Sequence, residues 1–205
     1  MKKLILTIAL IASAVVGTTT FANAAVKNNV VTVLNIGNIN KIEVRGNVEV
    51  IVANGEKDEV TVNNNYYAEN ALVQGKDGVL RISSYGNDKL VVYVKAADLR
   101  AIAAFDNAVV KSDGRFSAID LQVSLSNNAY AALNLDNFSA NITVNNNAKA
   151  DLSGFVTEAS LNYSAGSTIN RSAFLAENIY ESKIAPQVIA KAATKSTDEL
   201  VVIED

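Results

Sequence analysis

Residues 127–129 read Asn-Asn-Ala, and nineteen positions later residues 146–148 read Asn-Asn-Ala again. A recurrence at fixed spacing constrains a fold strongly, because each copy must bury its apolar face against the next. The corner is not confined to this pair. Asn107-Ala108, Asn128-Ala129, Asn147-Ala148 and Gly166-Ser167 succeed one another at steps of 21, 19 and 19 residues. At the same offsets Ile102, Val123, Ile142 and Leu161 coincide, as do Ala104, Leu125, Val144 and Tyr163. Past the corner, Ala131 and Leu133 fall on Ala150 and Leu152, then on Ile169 and Arg171, and the pattern decays at Ala185-Pro186.

Strand-like alternation on both sides of a small polar corner, repeated every 19–21 residues, predicts an all-β, right-handed parallel β-helix or solenoid with a β-rich N-terminal portion. Asn107, Asn128, Asn147 and Gly166 are then a structural corner column. Asparagine suits that place because it tolerates left-handed backbone and its amide can hydrogen-bond up and down a stack.

Upstream, residues 30–36, 41–55, 59–65, 78–84 and 89–95 read as strands separated by turn dipeptides such as Gly46-Asn47, Asp77-Gly78 and Gly86-Asn87. Ile42, Val44, Val48, Val50 and Val52 take the even positions, and Lys41, Glu43, Arg45 and Glu49 the odd ones. One face of this segment is dry and the other charged. Residues 66–74 could supply one helical turn.

The N-terminus carries Lys2 and Lys3, an apolar run from Leu4 to Val16, and Ala22-Asn23-Ala24. Basic n-region, short apolar core and A-x-A site describe a signal peptide over 1–24, so the expected destination is export: periplasm, outer surface or medium. No membrane span is expected after its cleavage. Residues 25–38 then form a lead-in strand, 39–190 the main domain, and 191–205 a C-terminal tail or capping strand.

The chain has no cysteine and no histidine. Disulfides, thiol nucleophiles, thiolate metal sites and imidazole relays are excluded together. The net charge of −3 falls to −5 once the two lysines of the signal peptide are removed, which argues against a nucleic-acid surface. Asp106, Asp113, Asp120, Asp136 and Asp151 come about once per repeat, and read as solvated face or turn residues rather than a calcium array. Asp136 and Asp151 are the pair a glycoside-cleaving site would use if neighbouring repeats brought them within about 5–10 Å. No catalytic, cofactor-binding or metal residue is assigned, and no cofactor is expected.

The stretches "INKIEVRGNVEVIVANGEKDEVTV", "GKDGVLRIS" and "LVVYVKAADLRAIAAFDNAVV", followed by the repeated corners, give a chain that resembles the putative auto-transporter adhesin head GIN domain family from about Ile39 to Ala185. Most corners here carry Asn-Ala where the family has Gly-Ser-Gly. The resemblance implies a β-helical exported bacterial protein and brings no catalytic motif with it. The expected function is a non-enzymatic, adhesin-like binding module of the cell envelope, with a surface glycan or an envelope protein as partner. The alternatives are a structural, self-associating envelope protein and, third, a polysaccharide-active enzyme.

Overall fold

The computed structural model describes residues 31–34, 36–63 and 71–184. The expected signal peptide, the segment 191–205 and residues 25–30 and 35 of the lead-in lie outside the described residues. The β-branched alternation forms strands throughout. In chain order they are β1 Val31–Leu34, β2 Lys41–Gly46, β3 Val48–Asn54, β4 Glu59–Asn63, β5 Ala71–Lys76, β6 Val79–Ser84, β7 Leu90–Ala96 and β8 Ala101–Phe105. Four long strands follow: β9 Val109–Leu125, β10 Tyr130–Val144, β11 Lys149–Ser164 and β12 Thr168–Ile184. Residues 71–74, expected within a helical turn, belong to β5.

All twelve strands form one sheet, in the order β1-β4-β7-β3-β9-β8-β2-β6-β5, with β10, β11 and β12 added in turn from β9. This corrects the expected right-handed parallel β-helix. The sheet is mixed and curls like a half-barrel around its core. β1 with β4, β4 with β7, and β5 with β6 are antiparallel, and the other pairs are parallel. The local cause is visible at Asp77-Gly78. Both residues have positive φ, 52° and 78°, and Lys76 faces Val79 across them. Consecutive left-handed residues between paired strands make a tight hairpin, which reverses the chain where a helical coil would carry it onward. The repeat describes the long strands and does not extend through the N-terminal half.

Within β9 to β12, Val109, Tyr130, Lys149 and Thr168 align by Cα register. Each long strand also bends. In β10, Ala131, Leu133, Leu135 and Asn137 are buried, and then Ala140, Ile142 and Val144. The two intervening residues, Phe138 and Ser139, both stay out of the core, so the inward phase shifts by one position. Asn54 secures the bend in β9 at the point where β3 ends. Its Nδ2 donates to the Ser117 carbonyl at 2.7 Å and its Oδ1 accepts from the Ser117 N–H at 2.8 Å, so the side chain replaces a strand partner.

The concave face is closed by aliphatic side chains; Ile42, Val44, Val48, Val50 and Val52 are all buried, as the alternation implies. On the outer face, Glu43 is bound by Lys41 at 2.7 Å and Arg81 at 3.3 Å, and Glu49 by Lys111 at 2.8 Å and Lys89 at 3.3 Å. The Lys41 hydrogen bond is the main cause holding the Glu43 carboxyl below its ordinary range, and the Lys111 hydrogen bond does the same for Glu49.

Candidate functional site: a polar ledge along the bends

The corners show where asparagine is required. Asp106, Asn127 and Asn146 have φ of 62°, 65° and 58°, while Asn107, Asn128 and Asn147 follow them without positive φ. A turn bond closes each corner, such as Ala129 N–H to the Ser126 carbonyl at 3.3 Å and Ala148 N–H to the Asn145 carbonyl at 3.1 Å. The left-handed residues carry the tighter amide ladder. Asn146 Nδ2 donates to Asn127 Oδ1 at 3.1 Å, and Asn127 Nδ2 to Asp106 Oδ1 at 2.9 Å. Asn128 Nδ2 reaches Asn107 Oδ1 only at 3.5 Å, though the Asn128 and Asn147 N–H groups bond the Asp106 and Asn127 carbonyls at 2.9 Å. A Cβ on Gly166 would lie 2.7 Å from the Asn146 carbonyl oxygen, so the fourth corner has to be glycine.

The ladder predicts a difference between neighbouring asparagines. Asn127→Val puts a β-branched residue at positive φ and removes two amide bonds, so it should cost about 2–4 kcal/mol. Asn128→Val should cost about 1 kcal/mol. Thermal melts of the two variants read the difference, and equal losses would place the corner's stability outside the left-handed residues.

The richest outward chemistry lies at the bends. Two recesses adjoin there and share Asp120. One, of about 590 Å³, is lined by Asp98, Arg100, Ser117, Ile119, Asp120 and Asp136 among others. The second, of about 340 Å³, includes Asp120, Gln122, Asn141, Glu158, Ser160 and Tyr180. Register builds this second recess. Gln122, Asn141, Ser160 and Tyr180 are Cα partners on four successive strands, as are Asp120, Ser139, Glu158 and Asn178. Asn162 Nδ2 donates to Asn141 Oδ1 at 3.3 Å and to Ser160 Oγ at 3.4 Å, which fixes the amide row.

Charge on the ledge is partly compensated. Arg100 Nη2 lies 2.6 Å from Asp98 Oδ2, and its hydrogen bond is the leading cause lowering the Asp98 carboxyl and raising the guanidinium. Arg115 reaches Asp136 at 3.4 Å. Asp120 and Glu158 stand beside the hydroxyl and amide groups of the second recess. Large apolar side chains are exposed on the same strands. Ile119 is 83% exposed and Phe138, at the next bend, 56%. Phe155 and Leu175, paired across β11 and β12, are also exposed. Inside the bend Asn137 is 4% exposed; its Oδ1 accepts from Ala118 N–H at 3.2 Å, while its Nδ2 has no protein partner among the described residues.

Asp136 and Asp151 are not brought together as a carboxylate pair. Asp151 is aligned with Ala132 and accepts from the Tyr130 hydroxyl at 2.6 Å, a bond that is the main cause raising the Tyr130 pKa. Asp136 is aligned with Phe155. Four residues of strand separate the two acids, about 13 Å at roughly 3.3 Å per residue, beyond the two-carboxylate range. Among the described residues no three acidic side chains gather in a way that could hold a metal ion, and no helix is long and apolar enough to cross a membrane.

A family model described as "Putative auto-transporter adhesin, head GIN domain" matches residues 38–185. Among solved structures the chain is similar to a putative adhesin from Bacteroides fragilis, with 15% identity, 77% of each chain covered and a TM-score of 0.65. It is also similar to a putative lipid binding protein from Parabacteroides distasonis, with 10% identity, 76% and 78% covered and a TM-score of 0.60. A putative adhesin from Parabacteroides merdae gives 15% identity, 75% and 77% coverage and a TM-score of 0.58. At such identities the likeness is one of fold. No curated protein matches the sequence.

Proposed function

Because the chain belongs to the putative auto-transporter adhesin, head GIN domain family, we propose that it is an exported, non-enzymatic binding module of the bacterial envelope, and that the ledge holds a surface glycan. The observation that carries this reading is the 340 Å³ recess, where carboxylates, amides and hydroxyls stand in register beside the 68%-exposed ring of Tyr180. A pyranose has the complementary surface, with hydroxyls around its edge and an apolar face for an aromatic ring. An envelope protein is the second reading, favoured by the exposed side chains of Ile119, Phe138, Phe155 and Leu175.

End-to-end self-assembly fits less well. The inward positions aligned with Leu161 and Tyr163 become Glu181 and Lys183 in β12. Inward charge at an edge strand opposes pairing with another chain.

The test combines light scattering across a wide concentration range with binding to immobilised bacterial polysaccharides. The expected result is a monomer that retains a polysaccharide, with Asn141→Ala and Tyr180→Ala each weakening binding at least about tenfold, the loss of about 1.4 kcal/mol. Retention abolished by Phe138→Ser, with Tyr180→Ala silent, would move the ligand to an envelope protein. Growth with concentration and no retained partner would overturn the binding reading.

A further inference from the structure

The acids along the ledge are of two kinds. Asp98 is held by Arg100 at 2.6 Å and Asp136 by Arg115 at 3.4 Å, so those charges are cancelled in place. Asp120 and Glu158 have no ion pair and no side-chain hydrogen bond among the described residues. The described lining of their 340 Å³ recess includes no lysine or arginine.

Register sets the spacing of these two carboxylates. Both residues are Cα partners of Ser139, one from each side. The residues that follow them, Leu121 and Ala159, are buried, and Asp120 and Glu158 themselves stand exposed on the outer face. Two strand spacings of about 4.8 Å separate them, about 9.6 Å in all. A sugar ring seated over Ser139 therefore has a carboxylate on either side. Tyr180, 68% exposed, is the Cα partner of Ser160 and lies diagonal to Glu158, where its ring adds a π face.

We propose that this recess selects a glycan bearing a free amino group, an unacetylated amino sugar, over neutral and acidic glycans. This preference rests on the glycan reading of the same ledge and names its ligand class. Neutral hydroxyls are already served by Gln122 and Asn141, whose amides both donate and accept. A carboxylate only accepts, and its hydrogen bonds from a charged ammonium are about twice as strong as neutral ones. A uronate or phosphate would instead meet two like charges with no cation beside them in the described lining. The chain's net charge of −3 steers ligands in the same sense.

The test compares three soluble probes by calorimetry: glucosamine oligomers, the same oligomers fully N-acetylated, and oligogalacturonate. Work at about pH 5.5 keeps amines charged and most carboxyls ionised. The glucosamine oligomer should bind at least about tenfold more tightly than the acetylated one at low salt, the combined effect of two exposed ion pairs. Asp120→Asn combined with Glu158→Gln should bring that ratio close to one, with an unchanged melting temperature showing that the fold is kept. Glu56→Gln combined with Asp77→Asn removes the same charge away from these recesses and should leave the ratio as it was. Equal binding of the acetylated and free oligomers would overturn the amino-sugar preference and leave the glycan reading standing. An equal loss in both double variants would also overturn it, since the effect would then be one of net charge. Failure of all three probes to bind would overturn the preference together with the glycan reading.

Discussion

Gly154→Val should cost about 3–6 kcal/mol, combining strain at a positive-φ site with overpacking, and this is the largest single effect expected in the chain. Gly154 has φ of 94°, where a side chain is strained whatever the available space. A Cβ there would also fall onto the Leu135 carbonyl oxygen and lie 2.7 Å from Asn134 Oδ1. Leu135 and Gly154 are Cα partners across the β10–β11 ladder, so the collision is with backbone, which cannot turn away as a side chain does. Gly114 supplies the control. Its φ is 73°, yet no atom lies within 4 Å of its ideal Cβ. Gly114→Val should therefore lose only the conformational share, about 1–2 kcal/mol. Urea denaturation of both variants measures the difference, and equal midpoints would remove the close approach of β10 and β11 as the reason for glycine.

Phe116→Ala should cost about 3–5 kcal/mol, with Phe116→Leu costing clearly less. Phe116 is the largest of the fully buried side chains, at 1% exposure. It precedes the bend in β9 and is aligned with Leu135, which is aligned with Gly154 and then Phe174. In that row of inward positions only Gly154 adds no side-chain volume, so Phe116 fills core that its neighbours cannot close over. Truncation leaves a cavity where the strand is already bending, and collapse would require moving a backbone tied by Asn54 at Ser117. The check is a lowered urea midpoint with an unchanged slope. A loss under about 1 kcal/mol would mean that the bend relaxes.

The sequence makes the alignment of the long strands legible because apolar side chains at one register stack on their own kind. Ile102, Val123, Ile142 and Leu161 are successive Cα partners, as their spacing suggests. The sheet as a whole is less legible. Asp77-Gly78 is readable as a turn, but a turn dipeptide does not say which strands pair beyond the hairpin it closes. β4 lies antiparallel between β1 and β7 without any periodic signal, and so a repeat confined to residues beyond about 99 does not report the architecture of the whole sheet.

The ledge was hidden for a local reason. A step of 19 sets Ile179 beside Ser160, but a register shift between Asp151 and Ser153 inserts one residue, and Tyr180 takes that place. One bulged residue exchanges the two faces of everything after it. The positive-φ corner residues Asp106, Asn127 and Asn146 each sit one position before the expected corner column. Composition distinguishes a corner from a strand, but it does not distinguish the first asparagine of a pair from the second.

Among the described residues, β10 pairs with β9 and β11, and β12 pairs with β11 alone. Cohesion is therefore passed from neighbour to neighbour, and a stack of this kind accumulates stability additively along one axis. Its response to injury is graded. A lesion in β12 loosens the terminal layer and leaves the layers below it with every partner they had. A lesion in β9, which carries both β10 and the short strands, severs the molecule into two halves. Wear at the far tip is survivable, and the hinge of the whole assembly lies near its middle.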